Sequence, residues 1–559
     1  MANLRYLLLA ALALVALLLW QAWQQDYGRT PTPATTAGPR SQAAASERGP
    51  AAPAAGGDVP AGTPSTASPP PERPVPRAAV PHRKTPAVEV VTDLYRLEID
   101  LEGGTLRRAE LLRYPVSLET PQVPVRLLGD TPPDVFLAQS GLRSIGTEAT
   151  HHVRFTAEQR RYTLAPGRDR LRVALHWTSP EGVEVTKRYT FHRGLYVIDL
   201  EQEVHNGGDR PWVGRQYCQL ERSDVTKFKK HNLGIYTYTG GAIYSPEDKF
   251  QKLSFDDLAE SPLSRDVRDG WVAFIQHYFL AAWIPDRGET DHYYSKGLGR
   301  NLYVLGLIGP QVEVPPGGRA VFHGRLFVGP KLQHQLARIA EGLDLTVDYG
   351  YLTILAKPIF WLLEKIHAVV GNWGWSIVIL TLLIKLLFFK PSEMSYRSMA
   401  QMRRVAPRLK ALQERYADDK QKLQQAMMEL YRKEKINPLG GCLPVLIQIP
   451  VFIALYWVLL ESVELRQSPW ILWIRDLSTR DPYFVLPILY GLSMFVQQRL
   501  NPQPMDPVQQ KMFMVMPFAL TVMFAFFPSG LVLYWITNNL LSILQQWWIT
   551  RRVEQAAAR

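Results

Sequence analysis

Lys385 stands inside an otherwise apolar run, Ile377 to Phe389. A cation in the middle of a bilayer-crossing helix costs ~2.5–3.5 kcal/mol on insertion scales, so it needs water or a polar partner. Thr381 lies one helical turn earlier on the same face. Further along, Gln448 interrupts a second apolar run, and Asn538, Asn539, Ser542, Gln545 and Gln546 recur at helical spacing after Tyr534 and Trp535. Together these groups could line one polar concavity that attracts neutral or acidic peptide. Two plainer readings stand beside that one. Lys385 is five residues from Lys390, ~7.5 Å along a helix, and could snorkel to the membrane surface. The Asn/Ser/Gln stripe could be interhelical hydrogen bonding at ~0.6 kcal/mol a pair. No Asp or Glu occurs inside these apolar runs, which weighs against an ion pump, since a pump wants a titratable carboxylate relay.

Motifs for bond-making chemistry are missing. There is no GxxxxGK[ST] for nucleotide phosphates, no HExxH for zinc and no GxSxG elbow, so neither an enzyme nor a cofactor is expected. His151, His152, His176, His192 and His205 show no metal-ligand spacing with carboxylates or cysteines; half-exposed strand histidines are expected, and no metal site. Cys218 and Cys442 are the only cysteines, which excludes a disulfide framework.

These residues must be positioned by a chain of 559 residues with 47% hydrophobic content and a formal charge of +12. Its mean hydropathy of −0.11 averages very different regions. Residues 1–23 hold an apolar run, Tyr6 to Trp23, after Arg5, close to the ~20 residues a helix needs to cross hydrocarbon. A cleaved signal would end in small residues; this run ends in Trp20-Gln21-Ala22-Trp23, so an uncleaved anchor is expected. Residues 24–87 are Pro, Ala, Gly, Thr and Ser with scattered Arg, the composition of a disordered linker. Residues 88–345 turn to period two: Tyr95, Leu97, Ile99 and Leu101 alternate with Arg96, Glu98 and Asp100 before Gly103-Gly104 turns the chain. Many such strands with turn signals predict an all-β sandwich. Residues 346–370 predict an amphipathic helix in the membrane interface, with Phe360, Leu363 and Ile366 on one side and Lys357, Glu364 and Lys365 elsewhere. Residues 371–390 predict a second transmembrane helix and 442–550 four more, six crossings with the anchor. Met512, Met514, Met516 and Met523 crowd the fifth of these, suiting either contact with varied apolar partners or ordinary packing.

Orientation follows from short-loop charge. Lys390 to Gly441 holds twelve Lys and Arg, whereas Glu461 to Pro482 holds three. The first loop is therefore expected in the cytoplasm and the second outside, which puts both termini, including the basic tail 551–559, inside and the β-domain outside. Residues 391–441 carry two apolar seams, Met399, Met402, Leu409, Leu412 and Tyr416, then Leu423, Met427 and Leu430, broken at Ala417-Asp418-Asp419-Lys420. They predict a cytoplasmic helical hairpin. Its basic residues, among them Arg403, Arg404, Arg408, Lys410 and Lys422, fit ribosomal RNA or anionic lipid rather than DNA.

Several ordered strings resemble the YidC membrane-protein insertase family in its Gram-negative form: Asn437-Pro438-Leu439-Gly440-Gly441-Cys442-Leu443-Pro444 through Gln448, Pro450 and Tyr456; Val463-Glu464-Leu465-Arg466; Phe527-Pro528-Ser529-Gly530 through Tyr534; and Thr346-Val347-Asp348-Tyr349-Gly350. The resemblance implies an inner-membrane insertase with a periplasmic β-domain. Its groove would be open to cytoplasm and lipid, and it would receive nascent membrane proteins, alone or with the Sec translocon and near the ribosome. Lys385 falls where the family carries its groove cation, more often Arg; Thr381 falls on a groove position, and Trp535 falls where a groove Tyr is often found. Gln448, Asn538 and Ser542 complete the expected site. A channel or transporter with an outer ligand-binding domain is the alternative class; it should show an intramembrane acid or an inverted repeat.

Overall fold

The computed structural model describes residues 58–60, 86–226, 237–416, 419–434, 443–500 and 507–558; the anchor run Tyr6 to Trp23 and nearly all of the linker lie outside them. Among the described residues, Ala87 to Pro330 is largely β-structure in two sheets, of eleven and nine strands. Period-two patterning explains the packing. In the strand Tyr95–Asp100, Tyr95, Leu97 and Ile99 are buried while Arg96 is exposed. The strand Val197–Asn206 alternates over its whole length. Gly103 and Gly104 turn the chain at φ of +73° and +62°, a region open to glycine at little cost. The central strand Trp212–Ser223, paired with Asp134–Ser144 on one side and Leu302–Ile308 on the other, is buried on both faces through most of its length.

Ten helices are described: α1 (Phe255–Glu260), α2 (Gln333–Ile339), α3 (Thr353–Val370), α4 (Trp373–Leu387), α5 (Phe389–Arg415), α6 (Lys420–Lys433), α7 (Leu443–Glu461), α8 (Val485–Leu500), α9 (Pro507–Phe524) and α10 (Ser529–Ala558). Helix α3 buries Ala356, Phe360 and Leu363 at spacings of four and three, leaving Ile354 and Trp361 exposed. Gly371, at φ +68°, ends it, and Asn372 caps α4 by accepting from the Trp375 N–H at 3.1 Å. Helices α4 and α5 meet at a bend of 69°. Among the described residues no single helix is both long and apolar enough to cross a membrane; this bent pair passes that test together, and Gln448–Glu461 and Lys511–Phe524 are shorter apolar stretches.

Helices α5 and α6 pack through a small core of their own, Val405, Leu409 and Tyr431 with Met402, Met427, Met428 and Leu430 around it. It is separate from the large cluster that runs through the β-domain and the remaining helices. Helix α10 runs without a break to Ala558, through the positions expected as the basic tail.

Candidate functional site

Helices α4, α7 and α10 bring most of the polar oddities together. The Lys385 ammonium donates to the Ser542 hydroxyl at 2.7 Å, and Ser542 in turn donates to the Asn538 carbonyl one turn back along α10. The Gln448 amide donates to the Asn538 side chain at 2.9 Å. Lys385 is 9% exposed, pointing across to a neighbouring helix rather than along its own toward Lys390. Leu386 and Leu387, next to it, are 58% and 76% exposed. The salt bridges found among the described residues give Lys385 no carboxylate. Thr381 is buried one turn away and satisfies its hydroxyl on the Ile377 carbonyl at 2.7 Å.

Trp535 lies on α10, one turn before Asn538. Its ring lies 4.3 Å from Phe452, 5.7 Å from Phe524 and 6.1 Å from Tyr490, and its indole N–H is buried without an acceptor. A buried donor left unpaired costs about 1–3 kcal/mol. Two further polar contacts hold α10 to α8: Asn539 donates to the Ser493 hydroxyl at 3.2 Å, and Gln546 to the Leu500 carbonyl at 3.0 Å. Ser493, a hydroxyl inside an apolar run that the sequence reading did not single out, is the local signal for the first. The second ends on a backbone carbonyl, which leaves no mark in sequence.

Arg403, Arg404, Arg408, Lys410 and Lys422 stand apart, all exposed on the α5–α6 hairpin. Arg408 pairs with Glu434 at 2.6 Å and Lys422 with Asp419 at 3.1 Å, exposed pairs worth at most about 1 kcal/mol.

A loop following α7 ties the helices to the β-domain. Arg466 donates to the Pro115 and Val116 carbonyls at 2.8 and 3.1 Å, and Gln467 donates to Pro115 at 3.0 Å. His277 meets the Leu460 carbonyl at 2.9 Å. Lys331 and Glu461 face each other at 3.9 Å, both nearly inaccessible; burial draws the Lys331 ammonium below its ordinary range, against the pull of Glu461.

Two family models match the chain. The YidC periplasmic domain covers residues 87–362 and the 60Kd inner membrane protein family covers residues 365–556. The membrane protein insertase YidC of Thioalkalivibrio sulfidiphilus is 52% identical over 570 residues, 100% of both chains. That of Methylococcus capsulatus is 50% identical over 560 residues, again 100% of both. The chain belongs to the YidC membrane protein insertase family. Among solved structures, an active YidC insertase with the first transmembrane domain resolved aligns at a TM-score of 0.38 and 18% identity, over 83% of this chain and 92% of that one; a likeness that loose carries no weight beside the sequence matches. The two-sheet region coincides with the periplasmic-domain match and the helices α4 to α10 with the inner-membrane match. The family is one of insertases, not of enzymes.

Proposed function

We propose that this membrane protein insertase receives apolar segments of nascent membrane proteins against the polar cluster of Lys385, Thr381, Gln448, Trp535, Asn538 and Ser542, and releases them sideways into the inner membrane. The observation that carries this reading is the position of Lys385: a buried ammonium held by one hydroxyl, in a helix whose neighbouring residues face outward. An ammonium without a carboxylate partner is stable at depth only where water or a polar ligand reaches it. A wet, positive groove lowers the cost of bringing a substrate's polar or acidic outer tail partway across, because it shortens the hydrocarbon that the tail must cross. Hydration and attraction would then do what nucleotide hydrolysis does elsewhere.

In this reading the chain crosses the membrane six times with both termini in the cytoplasm. Residues 1–23 are the anchor, 24–87 the linker, 88–345 the periplasmic domain, 346–370 the interfacial helix, 371–390 and 442–550 the spans, and 551–559 the tail. The loop-charge asymmetry supports it. The hairpin 391–441 lies in the cytoplasm and offers Arg403, Arg404, Arg408, Lys410 and Lys422 to the ribosome or to anionic lipid, and the Sec translocon is a partner for part of the substrate range.

The test uses a Cys218→Ser, Cys442→Ser background carrying Lys385→Cys, with Leu386→Cys and Leu387→Cys as comparisons, and a membrane-impermeant maleimide added from the cytoplasmic side. Rapid labelling at 385, slow labelling at 386 and 387, and protection of 385 by an arrested nascent chain are the expected outcome. Labelling at 385 as slow as at 387 would remove the central residue of the mechanism.

A further inference from the structure

Asp58 belongs to the Pro- and Ala-rich stretch before the β-domain, yet its carboxylate meets two histidines 93 and 94 residues away. Its Oδ2 lies 3.1 Å from His151 Nε2 and its Oδ1 lies 2.9 Å from His152 Nε2. The two rings lie 4.2 Å apart, tilted by 44°, and the three donor atoms fall within 4.8 Å of one another. In a tetrahedral zinc site with bonds of 2.0–2.1 Å, donors stand about 3.3 Å apart. The carboxylate and each imidazole are already close to that separation.

The surroundings are built to hold this arrangement. His151 is buried, and its other ring nitrogen, Nδ1, lies 2.6 Å from the Tyr217 hydroxyl. The same oxygen accepts the His151 backbone N–H at 2.9 Å, so ring and backbone are fixed by one fully buried phenol. The phenol fits because Gly141 sits opposite it in the paired strand, where a Cβ would overlap the Tyr217 ring and hydroxyl. A partner on the second imidazole nitrogen, fixing tautomer and ring, is what metal-ligating histidines use. The Asp58 carbonyl accepts from Gln219 Nε2 at 3.1 Å, and Gln219 is held by Gln139 and Tyr294. His152 is half exposed, leaving one side of the site open to solvent for a fourth ligand.

We propose that Asp58, His151 and His152 form a binding site for a divalent transition-metal ion of the zinc class, which pins the stretch before the β-domain to the sandwich. Two imidazoles and one carboxylate suit such an ion, whereas magnesium and calcium want oxygen ligands. Tyr217 is a positioning residue, holding the His151 ring with Nε2 toward the ion.

Full-length protein in detergent, stripped with a chelator, is titrated calorimetrically with zinc chloride and separately with magnesium chloride. One zinc per chain is expected and no magnesium. Asp58→Ala and His152→Ala, which each remove a ligand, should weaken zinc binding more than Tyr217→Phe, which should weaken it about tenfold. Asp58 lies outside the strands, so its variant keeps the fold, and equal melting temperatures with chelator present check this. No saturable 1:1 zinc binding, or binding that Asp58→Ala leaves unchanged, overturns the proposal.

Discussion

Single residues show how the environment of a side chain sets its chemistry. Asp291 is 2% exposed and lines a cleft between the two sheets with Asp286, Glu289 and His323. Burial, reinforced by the charges of Glu289 and Asp286, pushes its carboxyl up to about 7. The folded domain therefore holds a proton that the unfolded chain has already released near pH 4, and stability falls as pH rises from about 4 to about 7. Lys187, buried and donating to the Gly103 and Ser140 carbonyls, is drawn down to about 7 by burial, but its contribution changes only above that pH. Between pH 4.5 and 6.5, thermal melts should thus show the β-domain losing stability in wild type and losing less in Asp291→Asn. The difference should be roughly 5–10 °C, since one proton over these two pH units is worth ~2.5 kcal/mol and ~1 kcal/mol moves the melting temperature of a domain this size by roughly 2–4 °C. Parallel slopes in the two proteins would put the titrating group elsewhere.

Among the elements, the α5–α6 hairpin stands out because its core is its own. Val405, Leu409 and Tyr431 pack with the methionines around them, while the start of α5 is fixed to α10 by Phe389 against Trp548 and by the Gln545 bond to the Phe389 carbonyl. Replacing Arg397–Lys433 with a Gly/Ser linker should leave the other helices folded, with a melting temperature within a few degrees of wild type, and abolish insertion of a model substrate in proteoliposomes. Full insertion by the replacement would show that the hairpin takes no part in capture. Helices α8 and α9 illustrate another constraint. Gly491 faces Thr521 so closely that a Cβ would overlap its hydroxyl, so this pair tolerates only hydrogen at that point.

For the whole molecule, the question is how firmly the β-domain is seated on the helices. Arg466 and Gln467 bond to carbonyls more than 300 residues away in sequence, and hydrogen bonds from a charged donor are worth about 1.5–3 kcal/mol. Arg466→Ala with Gln467→Ala should loosen the seating and speed proteolysis at the Pro115–Val116 loop by about tenfold or more, as ~1.4 kcal/mol predicts. The melting of the β-domain itself should not change. An unaltered cleavage rate would mean that His277 and Lys331 hold the domain without this loop.

The sequence by itself determined the elements and the family. Alternation at Tyr95, Leu97 and Ile99 marked the strands, Gly103-Gly104 the turn, the Met and Leu seams the hairpin, and the strings around Gln448, Arg466 and Ser529 the membership. Lys385 was legible as an oddity because a charge inside an apolar run is costly wherever it ends up. Only the tertiary structure decided partners: Ser542 for Lys385 across 157 residues, Asn538 for Gln448 across 90, Asp58 for His151 across 93, and Pro115 for Arg466 across 351. It also decided the bend at Phe388 and the unbroken run of α10. The physical reason is that periodicity fixes which face of an element is polar, while the group that meets that face depends on how distant elements pack, and packing leaves no local signal in the chain.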